Sequence, residues 1–407
     1  MSGDSSTQDD ETSTGLATIE EAIAEYRAGR MVIVMDDEDR ENEGDLCMAA
    51  EKVTPEAINF MAKEGRGLIC LPVTGQKLAE LGLPMMVSEN TAPLGTAFTV
   101  SIDARHGIGS GISAADRSHT ILSAIRDGAL PSDIRTPGHI FPLRARDGGV
   151  LVRTGQTEAA VDLARLAGQK PAGVICEIMK TDGTMARLPD LKIFAEKHSL
   201  KLVTIADLIQ YRLRNDSLVH RIAEAPLPTR FGGEFRACVY RSDVSGSEHL
   251  ALVKGDITPD VPTLVRAHAE YLPGDVFASI KRNTGDLLHR AMERIAEEGR
   301  GVVLYLKREP GTEMFTPRGD AATRSDDAHR EPPSTMSSAR LSEFREYGIG
   351  AQILRDVGCG KIRLLSNFRR RLVNLPGYGL EIVETVPLDA VEPAKGEVTS
   401  IKSVKGL

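Results

Sequence analysis

Apolar positions along the chain fall into short blocks parted by polar turns. Thr18 followed by Glu21 forms a capping-box pattern, and the helix it opens carries Ile19, Ile23 and Tyr26 on one side before Gly29 stops it. Met31–Met35 is an unbroken apolar run with β-branched residues, which predicts a buried strand. It ends abruptly in the charged run Asp36–Asp45. Thr54-Pro55 opens a second helix that closes at Gly65. Leu68–Leu71 predicts another buried strand, and Phe98–Ile102 alternates as a half-exposed one. Ser113–Arg126 predicts a helix ending near Gly128, and Gly173–Met179 a strand. Leu191–His198, Lys201–Ile205 and Ala206–Arg214 then read helix, strand, helix.

Prolines and glycines gather over Asn215–Gly233, which marks a domain boundary. Beyond it Thr263–His268, Gly301–Leu306 and Lys361–Leu365 predict strands, and Asp286–Glu298 and Ile349–Val357 helices. Glu309–Ser338, rich in Pro, Gly, Ser, Thr and charge, reads as a long mobile loop. No internal repeat is found. Helices and strands mix throughout, so the expected class is α+β, with mixed α/β layers.

The 407 residues, 41% hydrophobic and 27% charged, suffice for two or three ordinary globular domains. A net charge of −8 gives no electrostatic ground for nucleic-acid binding, and Phe368-Arg369-Arg370-Arg371 reads as a solvated face. No apolar run approaches the roughly 20 residues that span a bilayer. The acidic start, residues 1–14, lacks the features of a signal peptide and reads as a disordered tail, so a cytoplasmic location is expected. Cys47, Cys70, Cys176, Cys238 and Cys359 are scattered and odd in number, which argues against a disulfide framework and against a thiolate metal site.

Seven carboxylates crowd between Asp36 and Asp45, and they repel one another unless something compensates. Most such runs are solvated loops. This one directly follows a buried strand, where active-site groups often project. Its hard oxygens suit magnesium, and Arg40 within it suits a phosphate or carboxylate.

Asp39-Arg40-Glu41-Asn42-Glu43-Gly44-Asp45 resembles the signature loop of 3,4-dihydroxy-2-butanone 4-phosphate synthases. Further segments match in order: Phe98–Ile102, Gly111–Arg117, Pro137–Leu143, Thr157–Leu163, Val174–Glu177 and Asp182–Arg187. The similarity covers roughly residues 15–215 and implies an α/β sandwich. It also implies a magnesium- or manganese-dependent lyase that splits D-ribulose 5-phosphate into 3,4-dihydroxy-2-butanone 4-phosphate and formate. By resemblance Arg40, Glu41 and Asp45 contact substrate, with Glu41 also on the metal. Arg153 and Thr157 hold the phosphate, His139 and Glu177 are the acid/base pair, with Glu177 also on the substrate, and Asp45 and Cys70 lie in the catalytic pocket. On burial alone Cys70 is a plain strand residue; a histidine after Pro-Gly is ordinarily a turn residue, a preference that the matched segment reverses for His139. The family is homodimeric, with the pocket near the subunit interface.

Two places depart from the family pattern: Ile108-Gly109-Ser110-Gly111, where threonines usually precede the glycine, and position 156. Gln156 stands where a metal-binding histidine is usual. Its carbonyl oxygen can serve magnesium, but it cannot titrate or transfer a proton as imidazole does. Two readings stay open: a tolerated ligand change with the reaction kept, or a paralogue retasked to bind a sugar phosphate, nucleotide or partner.

After a linker at 216–228, residues 229–390 resemble GTP cyclohydrolase II, an α+β domain, through Arg266–Glu270, Gly274–Phe277, Gly301–Leu306, Tyr347–Leu354 and Gly377–Gly379. Residues 391–407 read as a tail. The family's three zinc cysteines correspond to Tyr271, Arg282 and Thr284, none of which replaces a thiolate on zinc. Its active loop reads Arg308-Glu309-Pro310-Gly311-Thr312, and its Asp-x-Arg pair reads Glu343-Phe344-Arg345. The expectation is a second domain without zinc and without cyclohydrolase activity.

Overall fold

A computed structural model describes residues 16–37, 40–280, 282–307, 338–367 and 375–388. The tails 1–14 and 391–407, Phe368–Arg371, Arg308–Thr312, the loop Glu309–Ser338 up to its last residue, and Glu38 and Asp39 of the acidic run lie outside these residues. The chain divides into two units at Asn215/Asp216.

The first unit opens with α1 (Ile19–Arg27), whose capping box has both bonds: Glu21 N donates to Thr18 Oγ1 and Thr18 N to Glu21 Oε2. Strands β1 (Val32–Met35), β2 (Gly44–Ala49), β3 (Cys70–Val73), β4 (Ile102–Ala104), β5 (Ile134–Arg144), β6 (Gly173–Glu177) and β7 (Lys201–Thr204) form one sheet. Their order is β4-β5-β3-β6-β2-β1-β7, with β1/β7 and β3/β5 parallel and the other pairs antiparallel. The helices are α2 (Pro55–Phe60), α3 (Gly75–Glu80), α4 (Ala114–Ile125), α5 (Gln156–Leu166), α6 (Leu188–His198) and α7 (Ile205–Asn215).

Strand alternation sorts the sheet into two faces. Ile33, Leu46, Met48, Leu71, Ile140 and Val174 turn to one side and join Ile58, Met61, Ile121 and Leu191 in the main core. On the other side α5 lies across β2, β6 and β3. There Asp162 of α5 takes Arg212 Nη1 of α7 at 2.7 Å and Val150 N at 2.8 Å, a buried ion pair that fixes α5.

Several expectations need correcting. β3 begins at Cys70, not Leu68, because Leu68 N donates to the Glu177 side chain instead of a ladder. Phe98–Ile102 is not a strand: Phe98 and Thr99 make only isolated bridges, and β4 starts at Ile102. The Pro-Gly before His139 makes no turn, since all three residues lie within β5. The acidic run ends inside β2, which its charge concealed.

The second unit has β8 (Val219–Thr229), β9 (Gly233–Ser242), β10 (Glu248–Lys254), β11 (Thr263–Ala269), β12 (Gly301–Leu306), β13 (Lys361–Leu365) and β14 (Glu381–Val386) in the order β14-β13-β11-β12-β10-β9-β8. Most of 216–228, expected as a linker, is therefore an edge strand hydrogen-bonded along β9. Helices α8 (Leu272–Asp275), α9 (Thr284–Glu298) and the part of α10 (Ser338–Asp356) from Glu343 onward complete it, with α9 packing Ala291, Met292 and Ile295 against Leu252, Leu264 and Val303. Both units are mixed sheets with helices, the α+β architecture the pattern implied.

Candidate active site

Asp45 of β2 and Glu177 of β6 are register partners. Cys70 and Ile175 are bridged one step further along β6. Alternation puts Asp45, Cys70 and Glu177 on the α5 side of the sheet. Burial first, then the charges of Glu177, Glu41, Asp36 and Glu43, push the Asp45 carboxyl well above its ordinary range. The Glu43 carboxyl is raised too, by burial and then by Glu41. Burial, then Glu177 and Asp45, push the Cys70 thiol up, so it lines the site as a neutral group.

The loop after β1 is tied to itself. Asp36 accepts from Glu43 N at 2.8 Å and Glu41 N at 3.2 Å, and from Arg40 Nη1 at 2.5 Å. Arg40 Nη1 also donates to Glu41 Oε2 at 2.9 Å and to Gln156 Oε1 at 2.8 Å. Glu41 and Gln156, 115 residues apart in sequence, thus aim their oxygens at one cationic point. That donor set fits a hard cation, although among the described residues no three His, Cys, Asp or Glu side chains are gathered closely enough to form a metal site. Arg187 holds the loop from outside by donating to the Glu41 and Asn42 carbonyls.

Gln156 and Thr157 begin α5, whose N-cap, Gly155, supplies no side-chain cap. An uncapped N-terminus attracts anions. Arg153 stands beside it: a Cβ on Gly155 would lie 2.4 Å from Arg153 Nη1. Arg153 Nη1 donates to the buried Glu158 carboxylate at 2.7 Å, and its Nη2 to Thr96 Oγ1 at 3.2 Å. Burial raises the Glu158 carboxyl against the pull of Arg153 and Arg146 N.

His139 does not touch this group. Phe141 pairs with Cys70, which sets His139 level with Leu68, about two strand spacings (roughly 10 Å) from Glu177. Its Nδ1 lies 3.0 Å from Asp103 Oδ2, and its backbone N–H donates to Asp103 Oδ1 at 3.0 Å. Gly111, at φ +98°, closes over the pair, where a Cβ would be 2.4 Å from Asp103 Oδ2 and 2.6 Å from His139 Nδ1. Arg40, Glu41, Asp45, Cys70, Gln156 and Glu177 therefore gather, Arg153 and Thr157 adjoin at the start of α5, and His139 stands on the flank. Asp36, Asp103, Glu158 and Arg187 are supporting residues that the sequence reading assigned no role. A strand prolonged two residues past Ser101 would have exposed Asp103.

In the second unit Asp275 is a buried hub. It accepts from Thr284 Oγ1 at 2.5 Å, Tyr271 N at 2.8 Å and Tyr305 OH at 2.9 Å, and His268 Nε2 lies 2.9 Å away. Burial opposes its ionisation, yet the bonds with His268, Thr284 and Tyr271 N hold the carboxyl far below its usual range. The Arg282 guanidinium lies over the Tyr271 ring at 5.5 Å. Tyr271, Arg282 and Thr284 thus still meet around Gly274 and Asp275.

These two halves carry the marks of two enzyme families in tandem. Residues 20–211 match the family model described as 3,4-dihydroxy-2-butanone 4-phosphate synthase, and residues 220–387 the one described as GTP cyclohydrolase II. The chain is 54% identical over 385 residues to riboflavin biosynthesis protein RibBA of Aquifex aeolicus (strain VF5), covering 92% of this chain and 93% of that protein. It is 48% identical over 377 residues to the bifunctional riboflavin biosynthesis protein RIBA 1, chloroplastic, of Arabidopsis thaliana, covering 92% of this chain and 69% of that one. It also resembles the crystal structure of RibBX, a two-domain 3,4-dihydroxy-2-butanone 4-phosphate synthase from A. baumannii, at 43% identity and a TM-score of 0.70, covering 92% of this chain and 100% of that one. The chain belongs to the RibBA family of riboflavin biosynthesis proteins. Among the described residues no helix is long and apolar enough to cross a membrane.

Proposed function

We propose that the first unit cleaves D-ribulose 5-phosphate to 3,4-dihydroxy-2-butanone 4-phosphate and formate, and that the second unit does not open GTP. The observation that carries the first part is the Asp45–Glu177 register pair close to Glu41, whose oxygen shares one cationic partner with Gln156 at the uncapped start of α5. Arg153, Thr157 and the first N–H groups of α5 bind the phosphate. Glu41 and Gln156 hold magnesium or manganese, which when bound polarises the substrate carbonyl and hydroxyls. Asp45, whose carboxyl is pushed up by burial and then by Glu177, faces a substrate hydroxyl, and Arg40 also binds the substrate. Glu177 is oriented by Leu68 N at 2.8 Å and exchanges protons with the reacting carbons' hydroxyls. His139, held by Asp103, is the second proton carrier, and Cys70 closes the wall. The family resemblance supports a homodimer.

For the second unit, the donor chemistry supports the reading. A phenol, a guanidinium and a hydroxyl already bound to Asp275 do not make a zinc thiolate set. The plant relative's bifunctional name points the other way, and the two-domain synthase from A. baumannii points toward a chain named for one activity. Formate decides, since both reactions release it. Purified full-length protein with magnesium is expected to yield formate from ribulose 5-phosphate and none from GTP with zinc supplied. No formate from the pentulose phosphate overturns the lyase, and formate from GTP overturns the silent second unit.

A further inference from the structure

We propose that Arg40 is a built-in stand-in for the divalent cation: it occupies the cation position in the metal-free chain and must leave before metal enters. This rests on the reading that Glu41 and Gln156 hold the metal.

One nitrogen, Nη1, meets Asp36 Oδ2 at 2.5 Å, Glu41 Oε2 at 2.9 Å and Gln156 Oε1 at 2.8 Å. The Arg40 side chain is 13% exposed and that of Asp36 fully buried. Magnesium sits about 2.1 Å from its oxygens, so an ion between Glu41 and Gln156 would overlap the guanidinium. The two cations exclude each other. Without either, the Asp36 and Glu41 carboxylates would lose the cation they share.

The latch also gives glutamine at 156 a physical role. Its amide oxygen accepts Arg40's N–H at any pH. An imidazole there would turn into a donor on protonation and repel the guanidinium. Metal entry frees Arg40 for a substrate hydroxyl or phosphate. Cation binding and the arming of a substrate-binding arginine thereby become one event.

Manganese binding to the full-length chain, followed by the paramagnetic resonance of free ion with no substrate present, tests this. Arg40→Gln is expected to tighten manganese roughly tenfold. Arg40→Lys keeps the charge but not the planar fork, so it is expected to tighten binding about threefold. Arg187→Gln removes the same charge from a guanidinium that, among the described residues, bonds only loop carbonyls and Glu43, and is expected to change affinity by less than about twofold. Binding left unchanged or weakened in both Arg40 variants overturns the latch, as does an equal gain in Arg187→Gln, which would mean net charge alone. No manganese binding in any of the proteins overturns the metal reading at Glu41 and Gln156, and the latch with it.

Discussion

Gln156 accepts a hydrogen bond from Arg40 at 2.8 Å across 116 residues of sequence, and this contact joins the acidic loop to the first turn of α5. Gln156→His replaces a neutral acceptor by a titrating one. Neutral imidazole binds the metal and imidazolium repels it, so the variant's metal affinity falls as pH drops through about 6.5. At limiting magnesium and pH 8, formate release from ribulose 5-phosphate should rise several-fold over the parent, on the order of 1 kcal/mol of better ligation. At pH 6 the gain should vanish. A gain that persists at pH 6 would contradict the argument.

Asp103 fixes His139 through both the ring and the backbone N–H. Asp103→Asn preserves shape but leaves the ring without its charged partner. We expect kcat to fall about 100-fold with KM nearly unchanged. A rise in KM instead would show that Asp103 shapes binding, not proton transfer.

Arg153 is held in place by Glu158. Arg153→Ala should raise KM for the sugar phosphate about 30-fold, the effect of losing a charge-assisted phosphate contact of about 2 kcal/mol. Glu158→Gln should also raise KM, by a smaller factor, since it loosens Arg153 without removing it. Equal KM in parent and Glu158→Gln would remove its supporting role.

Asp45 carries a pH signature. Its carboxyl pKa is raised in the folded protein, by burial and then by Glu177. The folded state therefore holds the proton more tightly than the unfolded state. Asp45 disfavours folding progressively as pH climbs above the unfolded value of about 4 and through the raised one. Metal-free Asp45→Asn should melt several degrees above the parent at pH 7.5, at about 2–4 °C per kcal/mol. That advantage should shrink as pH approaches 4, while formate release is lost. Equal melting at pH 7.5 would mean that the charge is already compensated.

In the second unit, Asp275→Ala strips four partners of their common acceptor. Such buried losses cost about 3–5 kcal/mol, which lowers the melting of a domain of this size by about 10 °C. Calorimetry should resolve this as one of two transitions moving, and added zinc should move neither. A zinc-dependent rise in the parent's second transition would revive a metal site there.

Sequence reading reached furthest where signals are local. The α1 capping box, the apolar run of β1 and the helix–strand–helix of α6, β7 and α7 all follow from neighbours within a few residues. The site residues were legible only through ordered resemblance, because Asp45 and Glu177 meet by strand register, which no periodicity reports. Asp103 and Glu158 escaped because their task, holding His139 and Arg153, exists only after β4 has paired with β5 and α5 has formed. The two prolines of β8 suppress a strand reading and make the segment read as a linker; an edge strand tolerates them.

The opening turn of α5 commits neighbouring side chains to separate partners: Gln156 meets Arg40, and Glu158 anchors Arg153. One turn later Asp162 bolts the same rod to Arg212. These groups cannot be retuned one at a time by sliding backbone, since any shift of the rod drags all of them together. New specificity in this scaffold must come from the loops that approach the helix, and the helix itself serves as the fixed ruler against which they are measured.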